Sequence, residues 1–200
     1  MAPETTRATL LSRVRDKHDQ SSWREFDAHY RALILRYCRR SGLQESDAED
    51  VRQALMLRLA QTMQSFTYRP ELGRFRDYLR RAVRNEISAQ LAARARRRVE
   101  GAVEALEALP ADDAGEVDEA WEAEWRAHHL RVAMDKARRS FQGPALAIFE
   151  GLLAGESVER VARSNGVSAD VVYKSKSRVR DFLRQRIAEQ LREEEFPELG

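Results

Sequence analysis

The sequence predicts an all-α protein: two small helical bundles joined by an acidic linker, the second bundle containing a helix-turn-helix. Three observations predict this. Apolar residues recur at spacings of three and four along most of the chain, and no alternating pattern of useful strand length appears. Glycine (9) and proline (5) are scarce among 200 residues while 34% are charged, a mixture that suits amphipathic helices. Between Val99 and Trp125 there is no lysine or arginine, but there are ten acids, from Glu100 to Glu124. That break divides the chain into residues 5–98, a linker over 99–125, and residues 126–194.

The first helix is predicted from about Ser21 to Ser41, with Trp23, Phe26, Tyr30, Leu33, Ile34 and Tyr37 on one stripe and Cys38 beside them. Ser41-Gly42 closes it, since glycine tolerates the left-handed conformation that ends many helices. The second starts near Ser46 or Asp47, with acids in its first turn where they suit the helix dipole. Its stripe is Val51, Leu55, Leu59 and Met63. The loop "SFTYRPELGRF" follows, marked by Pro70 and Gly73. A third helix runs from about Arg74 to Arg97, with Phe75, Leu79, Ala82 and Val83 inward. Beyond the linker, helical patterning resumes from about Glu122 to Phe141. Pro144 opens a helix that ends near Gly155, a short helix spans about Val158 to Ser164, and a long one continues to about Glu194.

Composition excludes several classes. The formal net charge is +2, so only the distribution of charge carries information about partners. A single cysteine, Cys38, forms no internal disulfide and fits a reducing compartment. No apolar run approaches the roughly 18 residues of a membrane span, and "MAPETTRATL" lacks a signal-type apolar stretch; a cytoplasmic protein without membrane insertion is expected. The histidines (His18, His29, His128, His129) form no catalytic constellation. Glu124 and His128 lie one turn apart, but two further metal ligands are missing. There is no glycine-rich phosphate loop. Neither an enzyme nor a cofactor is expected.

The stretch "SVERVARSNGVSADVVYKSKSRVR" has the layout of a helix-turn-helix. Ala162 faces the partner helix, Gly166 takes the corner, Val167 plugs it and Ser168 caps the next helix. At about 100° per residue, Val172, Val179, Leu183 and Ile187 fall on one side. Lys174, Ser177 and Arg178 fall on the other, with Tyr173 at the flank. Arginine and lysine there can bond guanine, while Arg180 and Arg184 further along suit phosphates. Lys176 falls inside the apolar stripe and is expected to snorkel. The competing reading is a solvated face of an all-α protein.

In the first bundle, Glu49 and Gln53 share the face of "ESDAEDVRQALMLRL" opposite its apolar stripe, with Arg52 and Met56 beside them. Such a face suits a basic protein partner, and equally a merely soluble helix. In "GRFRDYLRRAVRNEISAQLAARARRR", Arg80, Arg81, Arg84 and Ser88 project outward and Asn85 edges that face. Phe66, Tyr68 and Phe75 accompany them. Rings with arginines suit single-stranded nucleic acid, where bases stack and phosphates meet cations; at least one of Phe66 and Phe75 is expected in the core instead.

Together, "DAEDVRQALM" (Asp47–Met56), "GRFRDYLRRAVRN" (Gly73–Asn85) and the helix-turn-helix ending "VYKSKSRVR" (Val172–Arg180) resemble an extracytoplasmic-function (ECF) sigma factor, the two-domain class of bacterial RNA polymerase sigma subunits. The resemblance covers nearly the whole chain in the family's order. It implies that residues 5–98 are sigma region two, docking on core RNA polymerase through Asp47, Glu49, Asp50 and Gln53. Phe66, Tyr68, Arg80, Arg84, Asn85 and Ser88 would meet and help melt the minus-ten promoter element. Residues 126–194 would be sigma region four, reading the minus-thirty-five element through Tyr173, Lys174, Ser177 and Arg178, with Arg180 at a phosphate. The acidic linker would thread the polymerase. The implied partners are core RNA polymerase and promoter DNA, and many family members are also held by an anti-sigma factor. Arg52, Ala54, Met56, Glu86 and Ala89 depart from the usual pattern. The alternative is a helix-turn-helix regulator that binds duplex DNA alone.

Overall fold

A computed structural model describes residues 8–63, 75–99 and 118–195. These residues form helices and no strands, as the periodicity predicts. They divide into two compact units, with the boundary after Trp125.

The first unit contains α1 (Ala8–Arg13), α2 (Gln20–Arg40), α3 (Glu45–Thr62), α4 (Phe75–Val99) and the opening turns of α5 (Glu119–Ser140). Asp19 starts α2 by accepting a hydrogen bond from the Ser22 amide at 3.0 Å. Hydrogen bonds from Ser21 and Ser22 also hold the Asp19 carboxyl well below the usual carboxylate range. Helix α2 stops where Gly42 turns to φ 85°. The core follows the predicted stripes. Phe26, Tyr30, Leu33, Ile34 and Cys38 of α2 meet Val51, Leu55, Leu59 and Met63 of α3 and Phe75, Leu79, Val83 and Ile87 of α4. Burial pushes the Cys38 thiol up to about 12, so it serves as a small apolar side chain.

Two features of this core depart from the expectations. Helix α1 was not anticipated, yet its Leu10 and Leu11, with Val14 just beyond, are buried in the core. The acidic stretch expected to be linker up to Trp125 becomes helix already at Glu119. Asp118 caps that start, accepting from the Trp121 amide at 2.9 Å. Trp121 (0% exposed) and Trp125 (2%) are buried in the first core. Counting charge hid them, because the two indoles lie among acids. Spaced four apart, they share one helix face.

The second unit runs from Arg126 to Arg192. It holds the rest of α5, α6 (Ala145–Leu153), α7 (Val158–Asn165) and most of α8 (Ala169–Glu195). Ala133, Met134 and Ala137 of α5 pack with Ala145 and Phe149 of α6 and Val179 and Leu183 of α8. A smaller cluster unites Ile148, Val161 and Val172, with Val167 packed against it at the corner. Val161 rather than Ala162 is the fully buried residue of α7. Ser157 caps α7, and Ser168 receives the Val171 amide at 3.4 Å.

Gly166 ends α7 at φ 64°, ψ 34°, the left-handed region. An added Cβ there would meet nothing within 4 Å. Gly166→Ala is therefore expected to cost only backbone strain, about 1–2 kcal/mol, read as a lower urea midpoint with an unchanged m-value. No change in midpoint would mean that the corner does not need this conformation.

Candidate partner and nucleic-acid interfaces

Helix α3 places Val51, Leu55 and Leu59 inward, which fixes where its polar residues stand. Asp50 and Gln53 are exposed, whereas Asp47 and Glu49 are half-buried and engaged within the unit. The Asp47 carboxylate accepts from Arg94 at 3.0 Å and Gln90 at 3.4 Å, tying α3 to α4. Glu49 pairs with Arg31 and accepts from Arg52 Nε at 2.6 Å. Arg52 also reaches Asp27 at 2.6 Å. These arginines, Arg52 most of all, hold the Glu49 carboxyl below its usual range. The four acidic or amide positions are thus not one open surface: two fasten the bundle and two face outward.

Sequence reasoning missed what lies beside Gln53. Leu57 is 68% exposed although it is a large apolar residue. Together with Met56, Ala60 and Trp23 it lines a groove of about 390 Å³, rimmed by Lys17 and Arg24. The signal was present, since Leu57 falls about 200° from the mean of its helix's apolar stripe at 100° per residue.

On α4 the inward positions Phe75, Leu79, Val83 and Ile87 set the outward ones. Arg76, Arg80 and Arg84 follow at intervals of four and make one half-buried stripe. Asn85 and Arg81 are exposed, and Ser88 is half-buried. Phe75 is fully buried against Phe26 and Tyr30, at ring distances of 6.1 and 5.8 Å, so it is a core residue and not a base platform. Phe66 and Tyr68 lie outside the described residues. Glu86 is buried and pairs with Arg58 of α3 at 2.6 Å, which gives this departure from the family pattern a structural role.

Helix α8 shows the predicted division. Val172 and Val179 are fully buried and Leu183 nearly so. Tyr173 (57% exposed), Lys174, Arg178 and Arg180 face solvent, and Ser177 is half-buried. Lys176 is exposed despite its angle. The Arg178 guanidinium lies 5.1 Å from the centroid of the Phe141 ring, and Phe141 packs edge-on against Phe182. Ser177 donates to Asp181 at 3.3 Å, Arg180 donates to Ser177 at 3.4 Å, and Arg180 forms an ion pair with Asp181 at 3.7 Å. Arg178 is thereby oriented by an aromatic ring, while Arg180 is partly neutralised by Asp181.

Among the described residues, no group of three or more potential ligands could hold a metal ion. No helix there is long and apolar enough to cross a membrane.

Residues 26–97 match the family model of sigma-70 region 2, a stretch that includes most of α2, all of α3 and most of α4. Most of the first bundle is thus similar to sigma-70 region 2, a domain of the sigma factors of transcription initiation. The resemblance drawn from "DAEDVRQALM" and "GRFRDYLRRAVRN" is thereby borne out at the level of the sigma family. A structure of CnrH in complex with the cytosolic domain of CnrY aligns with 89% of this chain and 94% of that one, at 17% identity and a TM-score of 0.37. No curated protein matches the sequence.

Proposed function

We propose that the chain is a two-domain sigma factor of the ECF class, which binds core RNA polymerase, directs it to particular promoters and helps melt the minus-ten element. The observation that carries this reading is the match of residues 26–97 to sigma-70 region 2, on a bundle with two distinct outward faces. Asp50 and Gln53 stand exposed on α3 beside the Leu57 groove, a surface fit for a protein partner with basic and apolar groups. Arg80, Arg84, Asn85 and Ser88 stand on α4, where cations and hydrogen-bonding groups suit an opened strand. Asp47 and Glu49 act through the fold, by holding α3 in place. The second unit reads the minus-thirty-five duplex with Tyr173, Lys174, Ser177 and Arg178 from the exposed side of α8. Arg180 meets a phosphate once Asp181 releases it. The chemistry of polymerisation belongs to the partner enzyme.

The test is reconstitution with core polymerase on a library of random DNA, followed by sequencing of the opened molecules. Two sequence elements at a fixed spacing are expected. Enrichment of a duplex site by the chain without polymerase, and no opening with it, would favour a stand-alone regulator. Within that experiment, Arg178→Ala is expected to lose about 1–3 kcal/mol of preference at one upstream base pair. An unchanged upstream motif would remove Arg178 from base recognition.

A further inference from the structure

The arginine stripe of α4 already has an occupant. Trp121 and Trp125, at the start of α5, are buried in the first core. The Trp121 ring meets Tyr37 at 5.1 Å, and Trp125 stacks with Tyr30 at 6.3 Å. Acids flank both indoles and reach the basic groups around them. Glu122 pairs with Arg76 at 3.2 Å, Glu124 with Arg40 at 3.4 Å, and the Tyr37 hydroxyl donates to Asp118. Burial and Asp118 push the Tyr37 hydroxyl's pKa up, and Arg84 and Arg80 oppose that rise, so both guanidiniums lie within the field of this contact. A carboxylate-bearing, ring-stacked segment therefore meets the stripe at Arg76, one turn before Arg80 and two before Arg84. Carboxylates beside arginines and indoles on tyrosines present the same two chemistries as a single strand, phosphates and stacked bases.

We infer that Asp118–Trp125 is an internal competitor for the α4 surface, which an opened DNA strand can occupy fully only after this acidic, tryptophan-bearing segment has been displaced. The inference rests on the assignment of Arg80 and Arg84 to minus-ten DNA. It makes the free chain a weak binder of single strands, and makes displacement the step that uncovers the face. Trp121 (0% exposed) and Trp125 (2%) carry most of this docking and the partly exposed polar pairs little, so its release is a local unfolding event whose cost strand binding must offset.

The test measures fluorescence anisotropy of a labelled pool of single-stranded 12-mers with the full-length protein, alone and in complex with core polymerase. Tyr37→Phe removes the hydrogen bond to Asp118 at constant charge, and Glu122→Gln/Glu124→Gln removes the two ion pairs. Both are expected to bind the strand several-fold more tightly than the parent chain, and Arg80→Ala is expected to cancel the gain. Glu25→Gln/Glu45→Gln, two exposed acids on α2 and α3, matches the second variant in charge and is expected to give a smaller gain. Indole fluorescence is expected to shift to the red as strand binds the parent, as Trp121 and Trp125 enter water. Measurable binding by the parent with no gain in either clasp variant, or an equal gain in the charge control with none in Tyr37→Phe, would overturn the competition and leave the minus-ten reading standing. Absence of strand binding by every variant, with polymerase present as well as absent, would overturn both.

Discussion

Phe75→Ala is expected to lower the unfolding free energy of the first unit by about 3–5 kcal/mol, the usual cost of emptying a phenylalanine site in a core. The side chain is 0% exposed and opens α4 against Phe26 and Tyr30 of α2. It also touches Tyr78 one turn on, at a ring distance of 6.3 Å. Removing it leaves a cavity among rings too large to close it without leaving their rotamers. Phe75→Leu refills most of that space and is expected to lose less than half as much. Urea unfolding followed by tryptophan fluorescence reads this directly, since Trp125 stacks on Tyr30, one of the rings around the cavity. Were Phe75 instead a platform for DNA bases, the alanine variant would keep its stability and lose only strand binding.

Asp50→Lys, and separately Gln53→Ala, are expected to weaken core-polymerase binding by at least about 2 kcal/mol, roughly thirtyfold, if these residues are central to the contact. Both side chains are exposed on α3 and sit outside the ion-pair network that occupies Asp47 and Glu49. Their replacement is therefore expected to change folding stability by no more than about 0.5 kcal/mol. Glu25→Lys, an exposed charge reversal on α2, serves as the control for bulk charge. Leu57→Asp, at the groove beside Gln53, is expected to fall with the Asp50 and Gln53 variants rather than with the control.

Most of the fold was legible because its signal is local. The stripes of α2, α3, α4 and α8 are set by residues three and four apart, and the stops at Gly42 and Gly166 by the one residue type that takes positive φ freely. What escaped was non-local. Helix α1 is too short to show a period. Trp121 and Trp125 stand in a run of acids whose arginine partners, Arg76 and Arg40, are far away in sequence. The candidate site divides in the same way. The exposed sides of α3 and, Lys176 apart, of α8 follow from angle alone. The engagement of Asp47 with Arg94, of Glu49 with Arg31, and of Arg178 with Phe141 depends on which helices pack together. Motif matching therefore grouped Asp47, Glu49, Asp50 and Gln53, and packing separates them into two that brace the helix and two that present a face.

The measurement that bears most directly on the central claim is a titration of the purified full-length chain against core RNA polymerase, read by co-elution, with Asp50→Lys alongside. The sigma assignment predicts saturable one-to-one binding by the parent chain and marked loss in the variant, with helical content unchanged by circular dichroism. A folded parent chain that fails to co-elute at any concentration would contradict it.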